Sequence, residues 1–255
     1  MENNLLIDPI GVLSGKASEP LFRMSGCISA IASLSGQYIW FSRPDAWTDP
    51  YEQFFYNATY DGAPFGLKNR CFVACFSPVR TAEAQWLVYS HGTGESLRFD
   101  YDTDCLAAVL ITYCAAHHCR AYIKQVQYRT TKEINSINPR TVCPSPYTAW
   151  READWVKLLT FKRNAYLYEN EIRIILVFDE EQPESQCGIK LDYACANTDL
   201  IHTIQLSPML KDTNLITNIL EMRFGFTPKI DSVGRKQPRV TCSRLYSPIK
   251  LKNYK

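Results

Sequence analysis

The residues best suited to chemistry lie in Tyr166-Leu-Tyr-Glu-Asn-Glu-Ile-Arg-Ile-Ile-Leu-Val-Phe178, where Glu169 and Glu171 stand one residue apart ahead of Arg173 and a β-branched apolar run. Side chains alternate along a strand, so this spacing aims two carboxylates and a guanidinium into one volume at the end of a core strand. A buried core has no use for such a cluster of charges, so the spacing raises acid–base chemistry as a reading. The same residues also suit an edge-strand ladder, with both glutamates solvated and Arg173 paired to one of them. The strand by itself leaves both readings open.

The elements that must position this pair are legible as alternating apolar patterns. Pro20-Leu-Phe-Arg-Met24 and Gln37-Tyr-Ile-Trp-Phe-Ser42 read as two short strands with a short helix over 25–35 between them. Further strands are expected at about 70–77, 95–100, 121–128, 171–178 and 200–206, marked by aromatic and β-branched runs. Helices are expected over 81–90, 104–118, 148–165 and 211–223; Thr81 and Asp212 stand as start signals, and Phe224-Gly225 as a stop. The pattern is α+β, built on a mixed, mostly antiparallel sheet with flanking helices. No GxxxxGK[ST] and no GxGxxG occurs, so a nucleotide would not be held by a phosphate loop on a doubly wound sheet; His91-Gly-Thr-Gly-Glu95 is a turn.

At 255 residues and 46% apolar, the chain can bury one substantial core, and no repeat or linker divides it. A single catalytic domain over 1–228 with a basic strand or tail over 229–255 is the expected organisation. No apolar run reaches the roughly 18 to 20 residues of a membrane span, and the start, with Glu2 and Asp8, makes a poor signal peptide. A cytoplasmic protein without membrane contact is expected. The ten cysteines show no CxxC pair and read as small buried hydrophobes. Cys114, His117, His118 and Cys119 cluster, but lack the second ligand pair of a closed zinc site, so no metal is expected.

Charge is unevenly spread. Residues 229–255 hold eight Lys or Arg against Asp231 alone, so they carry +7; the whole chain is +2, which leaves −5 on the rest. Arg235, Lys236, Arg239, Arg244, Lys250 and Lys252, with Tyr246 and Tyr254 interleaved, are therefore candidate contacts to RNA or DNA phosphates. A solvated arm or a dock for an acidic partner fits the same residues.

Trp40-Phe-Ser-Arg-Pro-Asp-Ala-Trp-Thr-Asp-Pro-Tyr-Glu52, Ala74-Cys-Phe-Ser77, Trp86-Leu-Val-Tyr89 and Tyr166-Leu-Tyr-Glu-Asn-Glu-Ile-Arg173 together resemble the serial motifs of a bacterial family of unknown function, over roughly residues 20 to 210. Thr48 stands where that family has Asn, Gln85 where it has Met and Ile172 where it has Trp. The order Arg, aromatic strand ending in Ser, late Glu-x-Glu is in turn similar to the signature of mono-ADP-ribosyltransferases of the Arg-Ser-Glu class, which split NAD and transfer ADP-ribose. That resemblance implies an ADP-ribosyltransferase-like split sheet, NAD as substrate and no metal.

By resemblance, Glu171 stabilises the oxocarbenium-like state, Glu169 orients or deprotonates the acceptor, Arg23 holds the pyrophosphate and Ser42 orients the glutamate or the nicotinamide ribose. Tyr38, Trp40, Tyr51 and Phe54 are the candidate stacking faces for nicotinamide. Each residue has a plainer reading. Arg23 would pair Glu169 or Glu171 across strands, Ser42 would cap the turn at Pro44 with Ser77 as the alternative serine, Trp86 and Tyr89 would pack the core, and Asp49-Pro50 would mark a turn. The acceptor implied is RNA, DNA or a nucleic-acid-associated protein, in a toxin held silent by an antitoxin or acting in phage defence. Two other classes remain open: a metal-independent ribonuclease using Glu171, Arg173 and His91 or His202, and a non-catalytic binding module working through the basic tail.

Overall fold

The computed structural model describes residues 5–7, 21–78, 83–90, 92–139, 146–194, 200–243 and 245. In chain order the first half comprises strands β1 (Leu5–Ile7) and β2 (Leu21–Gly26), helix α1 (Cys27–Gly36), β3 (Tyr38–Ser42), α2 (Pro50–Asn57), the small pair β4 (Thr59–Tyr60) and β5 (Ala63–Pro64), then β6 (Cys71–Phe76), α3 (Glu83–Val88) and β7 (Ser96–Tyr101). It continues with α4 (Thr103–His117), β8 (Cys119–Gln125), β9 (Gln127–Arg129), α5 (Thr131–Ser136), α6 (Glu152–Leu158), β10 (Phe161–Arg163), a 3-10 helix Asn164–Glu169 and β11 (Ile172–Phe178). It ends with β12 (Gly188–Asp192), β13 (Ile201–Leu206), α7 (Thr213–Phe224), a hairpin of β14 (Lys229–Ile230) and β15 (Lys236–Gln237), and β16 (Val240–Cys242).

The fold is α+β, with two mixed, mostly antiparallel sheets. One has the order β1-β8-β11-β6-β3-β12 and the other β16-β13-β7-β2. They touch where Phe22 of β2 and Ser77, just past β6, exchange both backbone hydrogen bonds at 2.8 Å. One sheet therefore splits into two at this bridge, and side chains flanking it look into the gap.

β11, at the centre of the large sheet, is covered on both faces. Every residue from Ile172 to Phe178 is buried. Ile172, Ile174, Leu176 and Phe178 join a core shared with the smaller sheet and α4, whereas Ile175 and Val177 join a second cluster with Phe55, Tyr56, Trp150 and Trp155. A strand covered on both faces reads as a continuous apolar run. It pairs antiparallel with both β6 and β8, so it is central, and a solvated edge ladder does not form.

The expectation of a helix over 148–165 is corrected. α6 stops at Leu158, and the chain re-enters as β10, paired in parallel with β9. Trp155, Leu158, Leu159 and Lys162 carry helical spacing, but the open backbone edge of β9 captures Phe161–Arg163. Asp49-Pro50 is more than a turn: Asp49 accepts the Tyr51 amide at 3.0 Å and caps α2, with Pro50 in its first turn.

Candidate active site

Glu169 and Glu171 do not sit on a pleated strand as the sequence suggests. Glu169 closes the 3-10 helix, Asn170 turns the backbone left-handed at φ 41°, and Glu171 is the last residue before β11. What joins them is Lys162, whose Nζ donates to Glu169 Oε2 and to Glu171 Oε2, each at 2.7 Å, and lies 3.3 Å from Glu52 Oε1. Arg173 completes the cluster: Nε donates to Glu171 Oε1 at 2.7 Å, and Nη2 donates to Glu52. Three carboxylates face two cations, all buried or nearly so.

The surroundings fix this cluster from every side. Trp47 lays its ring 4.5 Å from the Arg173 guanidinium and donates its indole N–H to Ser42 Oγ at 3.2 Å. The Glu171 amide donates to Tyr128 Oη at 2.8 Å, and its carbonyl accepts from Val126 N. Cys75 shares a hydrogen bond with the Glu171 carboxylate. Burial pushes both glutamates up in pKa, but the outcomes diverge. For Glu171 the Arg173 and Lys162 charges outweigh burial and hold it at about 2; for Glu169 burial wins over Lys162, and the group sits above its ordinary value. The two neighbouring carboxyls are thus driven in opposite directions.

Glu169 and Glu171 line one side of a small cavity at the sheet split, closed by Phe22, Arg23, Met24, Ser77, Gln85 and Tyr89. Arg23 also opens onto a groove of about 360 Å³ lined by Ser25, Ser29, Tyr38 and Trp40. Its Nη2 donates to the Trp40 carbonyl at 2.7 Å, its guanidinium lies 5.6 Å from the Phe76 ring, and its buried Nη1 has no partner among the described residues. An ion pair between Arg23 and either glutamate does not form.

Of the expected site residues, Arg23 borders both spaces, Glu169 and Glu171 the cavity, and Tyr38 and Trp40 the groove. Ser42 is corrected: it lies behind the cluster, holding Trp47 and reaching the Val73 carbonyl at 3.5 Å, and Ser77 occupies the cavity wall instead. Tyr51 and Phe54 are corrected too, for they line a separate groove with Ile134 and Ile137. Arg163 stacks over Tyr51 at 4.6 Å and ion-pairs with Asp49. Trp86 is buried core, as its plainer reading had it, but Tyr89 borders the cavity.

The residues that sequence reasoning missed are Lys162, Glu52 and Tyr128. Glu52 ends a motif that was legible; Lys162 sat in a misread helix and Tyr128 at the end of a strand run, with no signal for either. His202 lies 3.6 Å from Asp102 on the smaller sheet and does not line the cavity, and His91 lies outside the described residues, so the described residues assemble no histidine–carboxylate pair for a nuclease there. Among the described residues no group of three or more His, Cys, Asp or Glu is placed to hold a metal ion. Cys114 and Cys119 hydrogen-bond to each other, and His117 stacks on Tyr113 at 4.2 Å.

In the basic segment, Arg235 and Lys236 are exposed on the β14–β15 hairpin. Arg239 instead donates Nε to the His202 carbonyl at 3.0 Å and lies 4.7 Å from the Phe226 ring, stapling β16 beside β13. Arg244, Lys250 and Lys252 lie outside the described residues.

No family model and no curated protein matches this chain. Among solved structures it is similar to Thermus sp. 2.9 DarT in complex with NAD+, at 10% identity and a TM-score of 0.38, over 89% of this chain and 96% of that one. The same protein in complex with ADP-ribosylated ssDNA gives 11% and 0.37 over 89% and 94%, and in complex with carba-NAD+ 11% and 0.38 over 90% and 98%.

Proposed function

We propose that this chain is an NAD-dependent ADP-ribosyltransferase whose acceptor is a nucleic acid. The reading rests on the cavity at the sheet split, where Glu169 and Glu171, tied from behind by Lys162 and Arg173, face Arg23, whose buried Nη1 has no partner among the described residues; the loose overlap with DarT does not enter it. The cavity itself, about 20 Å³, holds no dinucleotide, so NAD would lie in the adjoining groove of about 360 Å³, its anionic pyrophosphate against Nη1 of Arg23 and its cationic nicotinamide turned toward the glutamates. Tyr38 and Trp40 offer aromatic faces in the adjoining groove.

In this mechanism the bond between ribose C1′ and nicotinamide nitrogen breaks, and its electron pair leaves with neutral nicotinamide. Glu171, held ionised by Arg173 and Lys162, stabilises the oxocarbenium-like carbon, as a carboxylate does in glycoside hydrolysis. A lone pair of the acceptor closes on C1′, and Glu169, whose pKa burial raises, takes the acceptor's proton. Ser77, at the mouth of β6, takes the place the motif order gives to a serine.

The test is purified protein with labelled NAD, with and without single-stranded DNA, RNA and cell lysate, beside Glu171→Gln. Label transferred to a macromolecule, or nicotinamide released, only with the intact glutamate supports the transferase reading and identifies the acceptor. RNA cleaved with no NAD consumed would replace it with the nuclease reading.

A further inference from the structure

We propose that Lys162 is the positioning residue of this site, the one group among the described residues that binds Glu52, Glu169 and Glu171 at once and so divides the acid–base work between the two glutamates. Its consequence for turnover rests on the transferase reading; its electrostatic effect does not.

An ammonium has three donors, and here three carboxylate oxygens at 2.7, 2.7 and 3.3 Å take them. The asymmetry lies in what else each glutamate touches. Glu171 is bound by both Arg173 and Lys162, whereas Lys162 is the cation that Glu169 contacts among the described residues. Removing Lys162 would leave Glu171 its guanidinium and strip Glu169 of its counter-charge, with three carboxylates against one cation.

The other groups facing this pair leave the glutamates as the ones to respond. Glu52 approaches from α2, Arg173 from β11, Cys75 from β6, Tyr128 from β9, Tyr89 from beyond α3, Tyr166 and Tyr168 from the 3-10 helix, and Arg23 across the cavity on β2. Burial raises the Cys75 thiol and the Tyr89, Tyr128 and Tyr168 phenols, so these stay neutral through the physiological range. Lys162 itself is held charged, because its carboxylate partners outweigh its burial.

The experiment follows the Glu169 carboxyl by ¹³C NMR in full-length protein without NAD, comparing wild type, Lys162→Met and Glu52→Gln, then records the pH profile of nicotinamide release. In Lys162→Met the Glu169 midpoint should rise by about one unit or more, and the acid limb of kcat/KM should move up with it. KM for NAD should change by less than about threefold, because Lys162 does not face the donor. Lys162→Arg should bring both midpoint and profile part of the way back. Glu52→Gln, which removes a negative charge while leaving Lys162 its two shorter bonds, should move the midpoint down, and carries the test if Lys162→Met does not fold. A Glu169 midpoint that stays put in both variants overturns the proposal, as does an activity loss equal at every pH. A midpoint that moves in a protein consuming no NAD supports the proposal and sinks the transferase reading alone.

Discussion

Arg23 leaves Nη1 buried and unpartnered beside a cavity, a state that costs about 1 to 3 kcal/mol unless a ligand fills it. Arg23→Lys keeps the charge but loses the planar fork, so NAD affinity measured by calorimetry should fall by about 1.5 to 3 kcal/mol, at least about tenfold in Kd, with little loss of thermal stability. Unchanged affinity would remove the pyrophosphate from this place. The glutamates predict opposite signs against pH. Glu171 is depressed to about 2, so its stabilising contribution is complete above the ordinary value of 4.5 and is lost as pH falls toward 2. Glu169 is raised, so its ionisation weighs against the fold, and stability is gained as pH drops through its folded pKa. Urea unfolding across pH should therefore show the mild-acid gain in wild type and a smaller one in Glu169→Gln. In turnover, Glu171→Gln should cost about 10²- to 10³-fold in kcat, read by nicotinamide release from protein that still unfolds cooperatively. At this scale the sequence was informative about Arg23, Glu169 and Glu171, because each belongs to a motif of fixed order. It was mute on Lys162, whose role depends on a fold that carries it beside two glutamates seven and nine residues later in the chain.

The turn Glu169-Asn170-Glu171 does at the level of an element what a pleat was expected to do. Its middle residue is left-handed, a conformation that asparagine and glycine enter readily and that costs other residues roughly 1 to 2 kcal/mol. Asn170→Gly should therefore preserve turnover and stability, while Asn170→Val should lower the unfolding free energy by about that amount and reduce kcat by misaiming one glutamate; equal behaviour of the two variants would show that the turn does not set the pair. The spacing Glu-x-Glu was thus legible, but its backbone was not, because alternation along a strand and a left-handed turn both leave residues i and i+2 near each other. The misread segment 148–165 has the same origin. Apolar spacing at Trp155, Leu158 and Leu159 satisfies a helix, and only the unpaired edge of β9, a tertiary fact, decides that Phe161–Arg163 extends instead. Longer continuous apolar runs, such as Ile172–Phe178 and Thr103–His117, were recovered within a residue or two.

At the scale of the whole molecule, two features of sequence become spatial. Of the succession Arg, aromatic strand ending in Ser42, late Glu-x-Glu, two members become adjacent: β2 and β11 bring Arg23 and Glu171 to one cavity at the split sheet, where Ser77 beyond β6, the alternative serine, stands and Ser42 does not. Charge asymmetry becomes a surface: the β14–β15 hairpin is organised by Asp231, which accepts from Val233 N, Arg235 N and Gln237 Nε2, and it holds Arg235 and Lys236 in water. Arg239, by contrast, is committed to backbone carbonyls, so the basic segment is part scaffold and part free charge. If that free charge captures the acceptor, Arg235→Gln with Lys236→Gln should weaken binding to single-stranded DNA and RNA about equally across sequences. The slope of log affinity against log salt should flatten by about 1.4, near 0.7 for each phosphate that the variant no longer neutralises. Arg239→Gln should instead lower thermal stability, because it removes a staple between β13 and β16. A double variant with an unaltered salt slope would mean that the acceptor is gripped elsewhere, and that the hairpin charges serve solubility or another partner.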